Sequence, residues 1–265
     1  MHRLIAATCL LLLALMPVRA QAVSDDGCLP HVADNVGPFR VMKASLGRDQ
    51  AQITFVGHAT FLIESPKGVR IATDYNDYVR PRAIPDIATM NRAHDTHFTN
   101  NPDPRIKHVL KGWGEGGSMA RHDLTFDDVR VRNVATNIRS WGGGATEYNG
   151  NSIFVFEIAG LCIAHLGHLH HTLTGEHLKA LGQIDVVLVP VDGSWTMDQD
   201  GMIEVLESLR ASLMIPMHYF GTATLERFLT RMGSRFEVGR SDTATVVVSR
   251  ATLPPRPKIL VLPGR

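Results

Sequence analysis

A chain of 265 residues, 44% of them hydrophobic, can bury one substantial core, so a single domain of α/β type is the default and a second is not required. The 27 Lys and Arg nearly cancel the 26 Asp and Glu. This balance excludes recognition of nucleic acid or of an anionic membrane by overall charge, and partners must be read from local sites.

The chain opens on a processing signal. Met1-His2-Arg3 is a short basic start, Leu4 to Val18 is apolar, and Ala20-Gln21-Ala22 offers a small-x-small cleavage site. Together they predict a secretory signal peptide over residues 1–22 and a mature chain, periplasmic or secreted, beginning near Val23. The apolar run is shorter than the roughly 20 residues of a membrane span, so no stable membrane anchor is expected after cleavage. Cleavage leaves Cys28 and Cys162. An oxidising compartment permits a disulfide between them, and a free buried thiol at Cys162 is the competing expectation.

Residues 23–50 mix Pro, Gly and charge without periodicity and read as a surface segment ahead of a domain over 51–265. "ITFVGHATFLIES" and "VRIATD", separated by the turn signal Ser65-Pro66-Lys67-Gly68, predict an antiparallel meander. Lys111 to Ser118 reads as a loop, and a second strand pair comes next in "VRVRNVATNI" and "NSIFVFEIAGLCIAHLG", the latter broken at Ala159-Gly160. "SWGGGATEYNGN" (140–151) reads as a turn-rich loop in which Trp141 is a candidate lining residue. From there "EHLKALG", "GMIEVLESLRA" and "TATLERFLTRMG" read as helices alternating with the apolar strands "IDVVLVPV" and "LMIPMHY", which implies parallel strands with crossover helices. Residues 250–265 are expected to wrap the surface.

Histidines recur where the apolar strands end. His165 and His168 follow "LCIA", His218 closes "LMIPM", and His94 and His97 lie in "NRAHDTHF". Functional groups of α/β sheets gather at the carboxyl ends of strands, where diverging loops leave a crevice. The spacing of three within His94/His97 and within His165/His168 lets one tight loop present two nitrogens, and neutral imidazole is a ligand for zinc, copper, iron or nickel. A lone histidine after a strand is more often hydrogen-bonded surface or core, so the metal reading rests on the group. His170 and His171 lie just beyond it, as supporting or exposed groups, and Met214 and Met217 read as core filler.

In order and spacing, "GHATFLIE" (57–64), "IATD" (71–74), "NRAHDTH" (91–97), "NGNSIFVFE" (149–157), "IAHLGH" (163–168), "IDVVLVPVDG" (184–193) and "IPMHY" (215–219) resemble the metallo-β-lactamase fold superfamily. The branch most similar is that of ascorbate-6-phosphate lactonase and related metal-dependent hydrolases. The resemblance implies a four-layer αββα sandwich of mixed β-sheets with a metal site at the edge between the sheets. It places His94, His97, His165 and His218 at metal-binding positions and Asp74 where an aspartate organises the site without ligating. It also exposes departures: Arg92 and Thr96 stand at the first His and the Asp of the His-x-His-x-Asp-His motif, and His168 replaces the bridging Asp.

A two-metal centre relies on that bridging carboxylate to hold two dications about 3.5 to 4 Å apart. His168 supplies no charge, and an inward Arg92 would add an opposing one. The expectation is therefore one ion, zinc first and manganese, iron or nickel as alternatives, with His94, His97, His165, His168 and His218 as candidate ligands. Asp95 is a candidate ligand, outer partner or general base, and His58 and Tyr219 are candidate donors to a developing oxyanion. The expected activity is hydrolysis of a small molecule, a bound ion lowering the pKa of its water towards roughly 7 for attack on an ester, lactone, amide or phosphoester. The competing readings are a non-catalytic periplasmic metal-binding or sensing protein and an iron-dependent redox protein on the same scaffold.

Overall fold

The computed structural model describes residues 46–139 and 145–264. The signal peptide, most of the 23–50 segment, Cys28, Trp141 and the start of the 140–151 loop lie outside the described residues. In chain order the strands are β1 (Gln50–Gly57), β2 (Thr60–Glu64), β3 (Arg70–Ala72), β4 (Ile87–Met90), β5 (His108–Lys111), β6 (Asp123–Phe126), β7 (Val129–Arg139), β8 (Thr146–Ile158), β9 (Leu161–His165), β10 (Val186–Pro190), β11 (Leu213–Met217), β12 (Glu237–Arg240), β13 (Thr245–Ser249) and β14 (Lys258–Val261). The helices are α1 (Gly175–Leu181), α2 (Gln199–Leu209) and α3 (Thr222–Met232).

The strands form two mixed sheets. One runs β13-β1-β2-β3-β4-β5, antiparallel up to β3 and parallel through β4 and β5. The other runs β12-β14-β11-β10-β9-β8-β7-β6, parallel from β12 to β9 and antiparallel beyond. Alternation of side chains along each strand sorts the apolar residues into layers. Ile53, Phe61, Ile71 and Ile87 of the first sheet meet Phe154, Phe156, Ile163, Leu188 and Ile215 of the second in the central core. The opposite face of the second sheet, through Val155, Ala164, Val187 and Val189, packs on Leu206 of α2 and on Leu225, Phe228 and Leu229 of α3.

The outer face of the first sheet, at Ala72, Ala88 and Met90, is covered by Tyr75, Ile84, Phe98, Ile106 and Trp113, all from loops. The mixed α/β sandwich is therefore as expected, with loop segments forming the layer over the smaller sheet. Trp113 packs locally, its ring 5.6 Å from Phe98.

Three local expectations are corrected. "ITFVGHATFLIES" is two strands, because the backbone reverses at His58-Ala59. Residues 146–151 belong to β8 and pair with β7 across a bulge between Thr136 and Ile138. Residues 258–261 form β14, inserted beside β11 with Ile259 and Val261 buried. The prolines at 254, 255 and 257 interrupt the pattern around this four-residue apolar strand and hide it. Met214 and Met217 are core residues. Cys162 is half-buried, and burial pushes its thiol up. Among the described residues no helix is long and apolar enough to cross a membrane.

Candidate metal centre

Loops leaving the carboxyl ends of β4, β9 and β11 bring His94, His97, His168 and His218 together, one ring nitrogen of each within 4.8 Å of the others. The backbone is shaped for this. His218 lies one residue past β11 with φ 54°, and its N–H donates to the His58 carbonyl at 2.7 Å. His58 and Asp74 also hold positive φ, 50° and 40°. A left-handed non-glycine residue costs of order 1–3 kcal/mol and persists where its surroundings over-determine it, a pattern common at functional sites. Gly167, at φ 60°, turns the chain between His165 and His168 where a Cβ would lie 2.4 Å from Asn151 Oδ1 and Asn91 Nδ2. Asn151 Oδ1 in turn accepts from His168 N at 2.8 Å, fixing that loop.

Two imidazoles are backed by carboxylates. His97 Nδ1 bonds Asp74 Oδ2 at 2.5 Å, and His218 Nδ1 bonds Asp192 Oδ1 at 3.1 Å. Asp74 also accepts from Asn91 Nδ2 at 3.0 Å. Asp192 is held by the backbone N–H groups of Ser194 and Thr196, at 2.9 and 3.2 Å, and by the Thr196 hydroxyl at 2.5 Å. Burial opposes ionisation of Asp192, but the bonds from His218, Thr196 and Ser194 prevail and hold its carboxyl well below the usual range. Burial raises Asp74 to about 6 despite its imidazole and Asn91 neighbours. Burial and the surrounding imidazoles hold His97 well below its ordinary value. At neutral pH the His97–Asp74 pair is thus a neutral ring donating to a carboxylate.

The consequence is an arrangement suited to a cation. With both Nδ1–H groups committed to carboxylates, the Nε2 atoms of His97 and His218 face each other at 3.1 Å as two lone pairs. His97 and His218 would hold a divalent ion through these atoms, and coordination would replace the repulsion. Carboxylates behind ligating imidazoles fix the tautomer, raise ligand basicity and offset the ion's charge. The donor set fits zinc or another imidazole-binding transition ion, and it contains no bridging carboxylate.

Not every expected residue joins this group. His165 is the last residue of β9, on the same face as Ile163, so it points into the core between the sheets. Its Nε2 bonds the Ala59 carbonyl at 2.8 Å and its Nδ1 accepts from Gly167 N at 3.1 Å. Both nitrogens are occupied by backbone, and His165 stands outside the group of four. Asp95 is exposed, accepting from the Tyr78 hydroxyl at 2.8 Å. That placement outside the imidazole group does not support the roles considered for it. Arg92 is exposed and pairs with Glu147 at 3.2 Å, so it adds no charge to the site.

His58 lines the cluster with its ring 4.2 Å from that of His218, and burial beside His218 and His94 pushes it down to about 3. Its Nε2 bonds the Thr96 hydroxyl at 3.0 Å. Tyr219 is half-buried, its ring 6.3 Å from Phe55, as a packing residue. His171 ties residues 137 and 172 together by accepting from Asn137 N at 3.1 Å and donating to the Thr172 carbonyl at 2.8 Å. His170 contacts His168 directly, at 2.5 Å between His170 Nε2 and His168 Nδ1. Asp192 carries no role in the motifs read from the sequence. Its signal is an Asp closing an apolar strand just before Gly-Ser, where a short side chain captures the N–H groups of a turn.

Residues 52–218 match the beta-lactamase superfamily domain. A UPF0173 metal-dependent hydrolase of Carboxydothermus hydrogenoformans is 33% identical over 191 residues, covering 63% of this chain and 84% of the relative. Another, from Thermoplasma acidophilum, is 27% identical over 197 residues, covering 64% and 84%. Among solved structures, a protein of Thermotoga maritima assigned as a Zn-dependent hydrolase of the metallo-beta-lactamase superfamily superposes with a TM-score of 0.60. It is 27% identical and spans 81% of this chain and all of that one. The matched region holds most of both sheets and every imidazole of the cluster, and the chain belongs to the beta-lactamase superfamily.

Proposed function

We propose that this protein is an exported hydrolase that holds one metal ion, zinc first, and cleaves an ester, lactone, amide or phosphoester in a small-molecule substrate. The observation that carries the reading is the pair of Nε2 lone pairs of His97 and His218, 3.1 Å apart, each ring backed by a buried carboxylate. The 27–33% identity to metal-dependent hydrolases supports the reaction class, and the basic-apolar-small start of the chain supports export.

His97 and His218 would hold the ion with His94, which lies in the same group and whose Nε2 is 3.0 Å from that of His168. When bound, a divalent ion supplies Lewis acidity to the scissile group and acidifies a water that it binds. Asp74 and Asp192 keep the Nδ1 protons of their histidines in place, so each ring presents Nε2. Thr96 does the same for His94, its hydroxyl lying 2.7 Å from His94 Nδ1. Phe220, exposed and with its ring 5.6 Å from His58, offers an apolar surface beside the cluster.

The test is to strip the purified protein of metal, reload it with zinc, manganese, iron(II) or nickel, and assay ester, lactone, amide and phosphoester substrates. The expected result is turnover restored by at least one ion on at least one bond class. If no loaded form exceeds the metal-free protein on any class, the hydrolase reading is abandoned in favour of a metal-binding role. Export is tested separately, by locating the full chain after cell fractionation and sequencing its mature N-terminus.

A further inference from the structure

One chain of hydrogen bonds joins Arg139 to His58 through the cluster, and it has only one consistent arrangement of protons. Arg139 Nε–H can only donate, and its partner at 2.8 Å is His170 Nδ1. That nitrogen therefore carries a lone pair, and the ring's proton sits on Nε2. His170 Nε2–H then donates to His168 Nδ1 at 2.5 Å. His168 must hold its own proton on Nε2, which lies 3.0 Å from His94 Nε2. His94 accepts there, so its proton is on Nδ1 and donates to Thr96 Oγ1 at 2.7 Å; the Thr96 hydroxyl donates onward to His58 Nε2 at 3.0 Å. Every donor in the series meets an acceptor, so the tautomers are assigned by the network.

The same logic divides the four clustered histidines into two kinds. His94, His97 and His218 commit Nδ1–H to Thr96, Asp74 and Asp192 and present Nε2 lone pairs. His168 presents an N–H. For His168 to ligate through Nε2, its proton would move to Nδ1 and His170 would have to accept on Nε2. His170 Nδ1–H would then face Arg139 Nε–H, donor against donor.

We propose that the metal is held by three histidines, His94, His97 and His218, and that His168 is a hydrogen-bond donor at the centre, set in that tautomer by Arg139 through His170. This rests on the metal-dependent reading above. Once an ion takes the His94 lone pair, the His168 N–H is left without its acceptor. It would then be available to donate to an oxygen of the substrate, the kind of donor that stabilises a developing oxyanion. Three protein ligands with one open position is the usual pattern of catalytic zinc, whereas four closed ligands is that of structural zinc. Arg139 is a positioning residue, and its Nη2 also bonds the carbonyls of Ser194 and Thr196, at 2.8 and 2.6 Å, in the loop that holds Asp192.

The test uses ring-15N-labelled histidine in metal-free full chain, read by long-range proton–nitrogen correlation, alongside zinc affinity by chelator competition. The expected spectrum places the protons of His168 and His170 on Nε2 and that of His94 on Nδ1. Arg139→Met should mix the tautomers of His170 and His168, and Arg139→Lys, which keeps a donor, should restore them. His168→Gln should bind zinc within about threefold of wild type, while His94→Ala, His97→Ala and His218→Ala each lose 100-fold or more. A wild-type His168 protonated on Nδ1, or a His168→Gln loss as large as that of His218→Ala, would overturn the proposal. If wild type binds none of the ions, the hydrolase reading falls, whereas the ring spectra still decide the tautomer of His168.

Discussion

His165 and His218 stand at the ends of two parallel strands in the same sheet, yet only one reaches the cluster. His165 is the last residue of β9 and keeps the strand's alternation, so it shares the inward face of Ile163 and bonds backbone at both nitrogens. His218 lies one residue past β11 and takes a left-handed conformation that redirects its ring toward His97. The difference is one residue of register and one φ angle. Here the histidine that reaches the cluster is the one whose backbone leaves the strand before it.

The largest expected effect tests this contrast. His218→Ala should lower zinc affinity about 100-fold or more, since it removes a ligand together with the donor that Asp192 accepts from. His165→Ala should leave affinity within a few-fold and instead lower stability. It leaves the Ala59 carbonyl and Gly167 N–H unpaired in the core, at about 1–3 kcal/mol for each buried unpaired group. Chelator competition and thermal unfolding of the two variants separate these outcomes, and a crossed result would break the comparison.

The supports of the two rings come next. Asp192→Asn and Asp74→Asn should each weaken metal binding roughly 10- to 100-fold, the usual cost of losing an outer partner of a ligating imidazole. Isothermal titration with zinc reads this directly. Gly167→Ala, which strains a left-handed turn and drives a Cβ against Asn151 and Asn91, should destabilise by about 1–3 kcal/mol in chemical denaturation.

A smaller, pH-dependent effect sharpens the picture of a buried neutral cluster. His58 and His170 are held down to about 3 and about 4, by burial first and then by neighbouring imidazoles or by Arg139. The unfolded chain takes up protons near 6.5 where the folded one does not. Metal-free protein should therefore be stable above pH 6.5 and lose stability as pH falls below it. Asp74, raised to about 6, works the other way between 6 and 3.8, because the folded state binds its proton first. The imidazoles outnumber it, so the net slope should be loss towards acid, read by denaturation across pH 4 to 8. Arg92→Ala should change neither zinc affinity nor this profile, as its side chain is exposed against Glu147.

Much of this was legible in the sequence because it depends on periodicity. The strand-then-helix order and the break at Ala159-Gly160 come from apolar runs and their interruptions, and the grouping of His94, His97, His168 and His218 comes from histidines set just beyond strand ends. What escaped depends on distance in three dimensions. The short strand β14 is hidden by flanking prolines. Asp192 and Arg139 act through bonds to residues 26 and 31 positions away, which no local pattern records. The role of His165 turns on its register along β9, which has to be known to the residue. His168 stands where a carboxylate is usual, and only its partner His170 shows which nitrogen carries the proton.

The most direct test of a one-metal centre built on His218 rather than His165 is the zinc content of the folded chain after equilibrium dialysis, measured for wild type, His165→Ala and His218→Ala. One zinc per chain is predicted in wild type, one retained in His165→Ala, and none in His218→Ala. Two zinc ions per wild-type chain, retention by His218→Ala or loss from folded His165→Ala would contradict it.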